Sequence, residues 1–221
     1  MMNNLFMIFE PSSIIKLPLN WMVSLIMIML MPINFWMVPS RMLMMKSLLI
    51  KFLMKELKMI LKNNNLIIFF ISMFFFFMLN NFMGLFPYIF TSTSHLSTNL
   101  TLSLPLWLTY MMYGWINNYN HMFSHLIPQG TPSILMPFMV LIETTSNIIR
   151  PMTLAVRLTA NMIAGHLLLN LLSGMKNNLN NYSIILLILT QIILITLEMS
   201  VAIIQSYVFM ILTSLYSSEI N

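Results

Sequence analysis

Several stretches of this chain are almost free of charge over about 20 residues or more, the length that a helix needs to cross a membrane. Hydrophobic residues make up 59% and charged residues only 7% of the 221 residues. A soluble domain would carry about 25% charged residues. The pattern therefore excludes a soluble globular domain and predicts an all-α polytopic membrane protein with a single membrane domain, residues 1–221.

The apolar stretches predict five membrane helices. They cover residues 19–38, 66–83, 102–116, 133–172 and 182–216. The first belongs to an N-terminal unit, residues 1–39, in which we expect no cleavable signal because no basic region or small-residue cleavage site is evident. The second and third form a unit over residues 66–116. Two polar stretches, residues 91–101 and 117–131, are predicted as connections.

Residues 40–62 differ from the five apolar stretches. Four lysines recur at helical spacing and mark one face of a helix, next to a stripe of leucine and isoleucine. The lysines are Lys51, Lys55, Lys58 and Lys62, and the apolar stripe is Leu49, Leu53, Leu57 and Ile60. A basic amphipathic helix of this kind lies along a membrane interface. Because positive segments stay on the inner side, the N-terminus is predicted outside and the C-terminus, after five crossings, inside.

The last two apolar stretches, which form a unit over residues 132–221, are too long to cross a membrane upright. As helices they would measure about 60 and about 52 Å at 1.5 Å per residue. Neither contains a polar turn that would divide it into two spans. We therefore expect two steeply tilted helices, joined by the polar residues 174–181 into a long antiparallel hairpin.

This hairpin carries one polar seam on each arm. Glu143, Arg150 and Arg157 are spaced by seven and share a face that Asn161 and Ala164 continue. On the second arm, Gln191, Glu198 and Gln205 repeat in the same way. One antiparallel register would place Arg157 level with Gln205, Glu143 with Glu219, and His166 with Glu198. His166 is nine residues from Arg157, about half a turn away on an ideal helix, so it should face a different cavity.

Arg157 is the least expected of these residues, because an arginine at membrane depth costs at least about 3 kcal/mol. Glu143 can pair with Arg150, which leaves Arg157 without a carboxylate on its own arm. The small side chains of Ala160 and Ala164 would let another helix approach the same face. We therefore favour a partner in another subunit. An internal salt-bridge network that only locks the hairpin is the alternative.

Three segments resemble a known family. Residues 142–146, 150–168 and 198–209 closely resemble subunit a (ATPase subunit six) of the mitochondrial F-type ATP synthase, and residues 6–12 are similar to its arthropod members. The resemblance implies that Arg157 is the stator arginine facing the ring of c subunits, with Ala160, Ala164 and Gln205 on the same ring-facing surface and Asn161 and Gln205 as supporting neighbours. It also implies that His166 and Glu198 belong to the half-channel open to the intermembrane space, and that Glu143 and Glu219 belong to the exit on the matrix side.

The resemblance further implies a multi-pass protein of the mitochondrial inner membrane, with its N-terminus in the intermembrane space and its C-terminus in the matrix. The implied partners are the c-subunit ring, peripheral-stalk subunit b, other membrane subunits of the synthase, the lipid bilayer and the transported protons, but no nucleic acid. The chain would be non-catalytic alone. We expect no catalytic residue, no cofactor and no metal, since the chain has no cysteine and His121 and His125 lack a third ligand nearby.

The main alternative is a subunit of a respiratory electron-transfer complex or another structural membrane protein. Haem ligation would need paired histidines that face one another on spanning helices. His95, His121 and His125 lie in predicted polar connections, and His166 has no histidine opposite it. A solute transporter would be expected to show internal repeats, and none is evident.

Overall fold

The computed structural model describes residues 9–12, 18–29, 31–32, 35–61, 64–86, 89–127, 132, 134–175 and 181–220, and within these ranges the regular structure is helical. Two short 3₁₀ turns lie at Leu19–Trp21 and Ser92–Ser94. The α-helices are α1 (Met22–Met29), α2 (Arg41–Ile60), α3 (Asn64–Gly84), α4 (Leu96–Asn117), α5 (Tyr119–His125), α6 (Met136–Gly174) and α7 (Asn181–Ile220). The predicted all-α fold class is confirmed.

Three of the described helices are long and apolar enough to cross a membrane. The qualifying segments are Asn65–Gly84, Met136–Gly174 and Ser183–Ser218. The first predicted span, residues 19–38, is not helical over its predicted length. Within it α1 has only 8 residues, and residues 36–38 form a bend. Pro32, which has no N–H for a helical hydrogen bond, lies between them. The count of five membrane helices therefore stays a prediction.

Helix α2 matches the predicted basic amphipathic helix. It begins after Ser40, whose hydroxyl accepts a hydrogen bond from the Leu43 backbone N–H at 3.5 Å. Leu53 and Leu57 are buried, whereas Lys51, Lys55 and Lys58 are exposed. The buried leucines pack in a core formed mainly with α3, in which Phe70 and Phe74 lie together with Met210 of α7. Lys62, the fourth lysine of the predicted basic face, lies outside the described residues.

The predicted polar connections are partly helical. Helix α4 begins at Leu96, six residues before the predicted start, and α5 occupies part of the predicted loop at 117–131. The polar side chains at the start of α4 make local hydrogen bonds: Thr98 Oγ1 donates to the Ser92 carbonyl at 2.7 Å, and Asn99 Nδ2 donates to the Thr93 carbonyl at 2.8 Å. These bonds pair Thr98 Oγ1 and Asn99 Nδ2, so the helix can start inside a polar segment, although Asn99 Oδ1 is buried without a partner among the described residues.

Helices α6 and α7 are single long helices, as predicted. They have 39 and 40 residues, or about 58 and 60 Å at 1.5 Å per residue. Pro151 lies inside α6 without ending it, and it is buried. Helix α6 packs mainly on α4, and α7 packs mainly on α3, while α6 and α7 also contact each other. The hairpin's tilt stays a prediction, and most of its connecting loop, residues 176–180, lies outside the described residues.

A second core joins α3, α6 and α7 and sets the rotation of α6. The ring centroids of Phe77 and Phe209 are 4.3 Å apart, and Leu154 and Leu158 of α6 are buried against them. Ala155, Thr159 and Met162 extend the buried face at helical spacing. The opposite face of α6 is therefore turned away from the core.

Candidate functional site

The face of α6 that is turned away from the core carries Arg157. Ala160, Asn161 and Ala164 lie on the same face, and all four side chains are exposed. No hydrogen bond or ion pair joins Arg157 to any described side chain; the ion pair found in that part of the chain is made by Arg150. A permanently charged guanidinium thus lies on an exposed strip of small side chains, where a second helix could approach closely.

The other arginine of α6 lies in a different environment. Arg150 Nη2 is 3.6 Å from Glu143 Oε1, which confirms the pairing predicted from their spacing. The guanidinium carbon of Arg150 also lies 5.5 Å from the centre of the Tyr216 ring, at the far end of α7. Arg150 therefore links the first half of α6 to the last turns of α7. The side chain of Glu219 lies outside the described part, so its alignment with Glu143 stays a prediction.

Glu198 of α7 is buried against α6. A Cβ atom added to Gly165 would lie 2.6 Å from Glu198 Oε1 and 2.7 Å from its Cδ, so the carboxyl group occupies the space left by the absent side chain. Gly165 precedes His166, and both Glu198 and His166 have 9% of their surface exposed. This contact agrees with the predicted register at that position.

Several buried polar groups of α6 and α7 are not fully hydrogen-bonded within the described residues. Both carboxyl oxygens of Glu198, Nε2 of His166 and Nδ2 of Asn170 have no partner there. His166 interacts with the backbone of Gly84 at the end of α3, and its ring lies 6.3 Å from that of Phe9. An unsatisfied buried polar group costs about 1–3 kcal/mol. Packing alone does not account for these buried polar groups, so Glu198 and His166 are candidate functional residues.

The two polar groups of α6 therefore face opposite ways. His166 is buried near the end of α3, whereas Arg157 is exposed, as the half-turn between them predicts. Gln205 of α7 is half-buried, and no hydrogen bond joins it to Arg157 among the described side chains. Sequence reasoning missed Gly165, although a glycine beside a buried histidine is a possible signal of close helix approach. It also missed the contact between Glu56 and Tyr207 described below.

These features define a class of protein: a helical membrane protein whose two longest helices carry a buried histidine and a buried glutamate, together with an exposed arginine that has no partner among the described side chains.

Comparison with known proteins then specifies the family. The family described as ATP synthase A chain matches residues 17–218. The chain is 57% identical to ATP synthase subunit a of Anopheles quadrimaculatus over 226 aligned residues, which cover all of both proteins. It is 55% identical to the subunits of the same name from Drosophila melanogaster and Aedes aegypti, again over the full length of each. The chain belongs to the ATP synthase A chain family, which confirms the resemblance seen in residues 142–146, 150–168 and 198–209.

Proposed function

We propose that this chain is the stator subunit of the membrane sector of an F-type ATP synthase and that it couples proton translocation to rotation of the c ring. The observation that carries the proposal is the exposed Arg157, which has no partner among the described side chains and lies on a strip of small side chains. An internal locking network would satisfy this charge within the chain. An arginine that meets a carboxylate on a moving partner needs an exposed position instead. Family membership favours this function over an electron-transfer subunit.

His166 and Glu198 are proposed to belong to the proton uptake path from the intermembrane space. Groups that exchange protons must form and break hydrogen bonds, and both side chains are buried with unsatisfied atoms. Glu143 and Glu219 are proposed as the exit to the matrix. Glu143 is 23 residues from His166, about 35 Å along α6 at 1.5 Å per residue. Two paths at this separation would be offset, with Arg157 between them.

The proposed mechanism follows from the charges of the c-subunit carboxyl group and of Arg157. A c-subunit carboxyl group is neutral while it faces lipid, because ionised groups are disfavoured in hydrocarbon. Opposite Arg157 the ionised form is favoured, so the proton leaves through the matrix path. Another proton arrives by way of Glu198 and His166 as the ring turns, and Arg157 prevents direct passage between the paths. Gln205 and Asn161 are proposed to orient the guanidinium. One proton crossing about 100 mV releases about 2.3 kcal/mol, so several are needed for each ATP.

We further propose five crossings of the mitochondrial inner membrane, two of them made by residues 19–38, which include α1, and by α4. Helix α2 lies on the matrix surface, the N-terminus faces the intermembrane space and the C-terminus faces the matrix. The proposed partners are the c ring, whose contact surface includes Ala160 and Ala164, peripheral-stalk subunit b and other membrane subunits. The exposed lysines of α2 and the relatives' membership of the same family support this arrangement.

The test is Arg157→Lys, measured as proton-driven ATP synthesis by the reconstituted synthase. Lysine keeps a positive charge but can lose its proton when buried and lacks the planar fork of arginine. We expect synthesis to be abolished while the complex still assembles. Arg41→Lys is the matched control, because Arg41 is exposed at the start of α2, and it should have no effect. Normal synthesis by the Arg157→Lys complex would refute the proposed function.

A further inference from the structure

One hydrogen bond joins the interfacial helix to the last membrane helix. The hydroxyl of Tyr207 in α7 donates to Oε2 of Glu56 in α2 at 3.0 Å. The two residues are 151 positions apart in the chain, and both side chains are half-buried. A phenol bound to a carboxyl group at this distance is a short, directional contact.

Glu56 is the acidic residue of a helix rich in lysine. Its position nevertheless favours a contact with α7 over an ion pair with those lysines. Side chains pair along a helix at three or four residues. Lys51, Lys55 and Lys58 are five, one and two residues from Glu56. No described lysine forms an ion pair with Glu56. The carboxyl group of Glu56 is therefore directed at another helix.

The contact lies beside a tightly packed core. Leu53 and Leu57, which flank Glu56 in the chain, are buried with Met210 of α7, and Tyr207 packs against the same cluster. Leu57 and Met210 have no exposed surface. Apolar contacts of this kind hold two helices together but are not directional. The Tyr207 hydrogen bond, by contrast, depends on the relative orientation of its donor and acceptor.

Tyr207 and Gln205 lie on nearly opposite sides of α7. Two residues correspond to about 200° around a helix of 3.6 residues per turn. A bond that holds Tyr207 against α2 therefore turns Gln205 away from α2. Under the proposed function, Gln205 must face the surface that carries Arg157.

We propose that Glu56 and Tyr207 are positioning residues, and that their hydrogen bond fixes the rotation of α7 about its own axis so that Gln205 faces the Arg157 surface. Helix α2, anchored along the membrane interface, is the brace that holds α7 in this orientation. The inference rests on the proposed function, because it concerns the same proton path. It assigns a role to α2 beyond that of an interfacial anchor.

The test compares three variants in the reconstituted synthase: Tyr207→Phe, Glu56→Leu and Glu56→Gln. The first two remove the hydrogen bond, and the third keeps an oxygen that can accept it. We expect Tyr207→Phe and Glu56→Leu each to lower proton-driven synthesis per assembled complex by about fivefold, the factor that corresponds to one hydrogen bond of ordinary strength. Glu56→Gln should keep most of the activity. The double variant Tyr207→Phe with Glu56→Leu should be no worse than either single variant, because both remove the same bond.

Tyr113→Phe is the matched control, since Tyr113 is 52% exposed on α4, and its activity should be unchanged. Normal synthesis by Tyr207→Phe would overturn the inference. A loss fully explained by a smaller amount of assembled complex, or an equal loss in Glu56→Gln and Glu56→Leu, would also overturn it, because each indicates a role other than positioning. These outcomes are separate from a failure of the proposed function, which would appear as normal synthesis by Arg157→Lys.

Discussion

At the scale of single residues, neighbours decide what chemically similar side chains do. Arg150 and Arg157 lie seven positions apart on one helix, yet Arg150 has Glu143 at 3.6 Å and the Tyr216 ring beside it. Arg157 has no such partner among the described side chains and is exposed. A paired arginine stabilises contacts within the chain, whereas under the proposed function the exposed Arg157 meets its partner outside the chain.

Glu198→Gln tests the role of the buried Glu198 carboxyl group. Glutamine has nearly the same shape as glutamate but cannot carry a proton between water and the c ring. We expect slower proton conduction through the membrane sector, measured as the decay of a pH gradient in vesicles, with normal assembly of the complex. Loss of the subunit from the complex would instead indicate that Glu198 has a structural, locking role.

Gly165→Ala tests the fit between α6 and α7. The new methyl group would lie 2.6 Å from Glu198 Oε1 and 3.2 Å from its Cγ, so the flexible carboxyl arm must move away. We expect proton conduction to fall by a factor similar to that of Glu198→Gln, while the complex still assembles. Gly174→Ala is the matched control, because nothing lies within 4 Å of the position of its added methyl group. Equal conduction by the two variants would contradict the placement of Glu198.

At the scale of elements, local hydrogen bonds decide where helices begin. The sequence predicts α2, α3, α6 and α7 well, because the lysines and leucines of α2 recur at helical spacing and the other three helices are apolar stretches long enough to cross a membrane. It misplaces the start of α4 and misses α5. Polar residues such as Thr98 and Asn99 resemble a loop in composition, and only their bonds to the preceding 3₁₀ turn make a helical start favourable.

Asn99→Leu tests this turn. Asn99 is fully buried, and its Nδ2 donates to the Thr93 carbonyl at 2.8 Å. Leucine of similar size would leave that carbonyl unpaired, at a cost of about 1–3 kcal/mol. We expect a lower thermal transition of the purified complex. Thr101→Val, at an exposed position of the same helix, should leave the transition unchanged. If both variant complexes have the same transition temperature as the native complex, the turn does not depend on Asn99.

At the scale of the whole molecule, long helices place the polar groups at different depths. Helix α3 supports α7, and α4 supports α6, so the faces with Leu158 and Phe209 meet in one core. The surface with Arg157 lies outside this core. His166 lies near the end of α3 at Gly84, and Glu143 lies towards the other end of α6.

The proposed orientation can be tested by cysteine labelling, since the chain has no cysteine of its own. Met175→Cys, at an exposed position after α6, is expected on the outer side, and Lys58→Cys, exposed on α2, on the inner side. A membrane-impermeant maleimide should label Met175→Cys in mitoplasts and Lys58→Cys in inverted vesicles. The opposite labelling pattern would reverse the proposed topology.

The sequence by itself determined the membrane class, the amphipathic α2, the two very long helices, the Glu143–Arg150 pair and the family. These follow from composition, helical spacing and local motifs, which act over short distances along the chain. Only the tertiary structure decided that Arg157 is exposed, that Glu198 fills the space at Gly165, and that Glu56 binds Tyr207. These contacts join residues far apart in the chain, and they depend on how the cores of α3, α6 and α7 orient each helix.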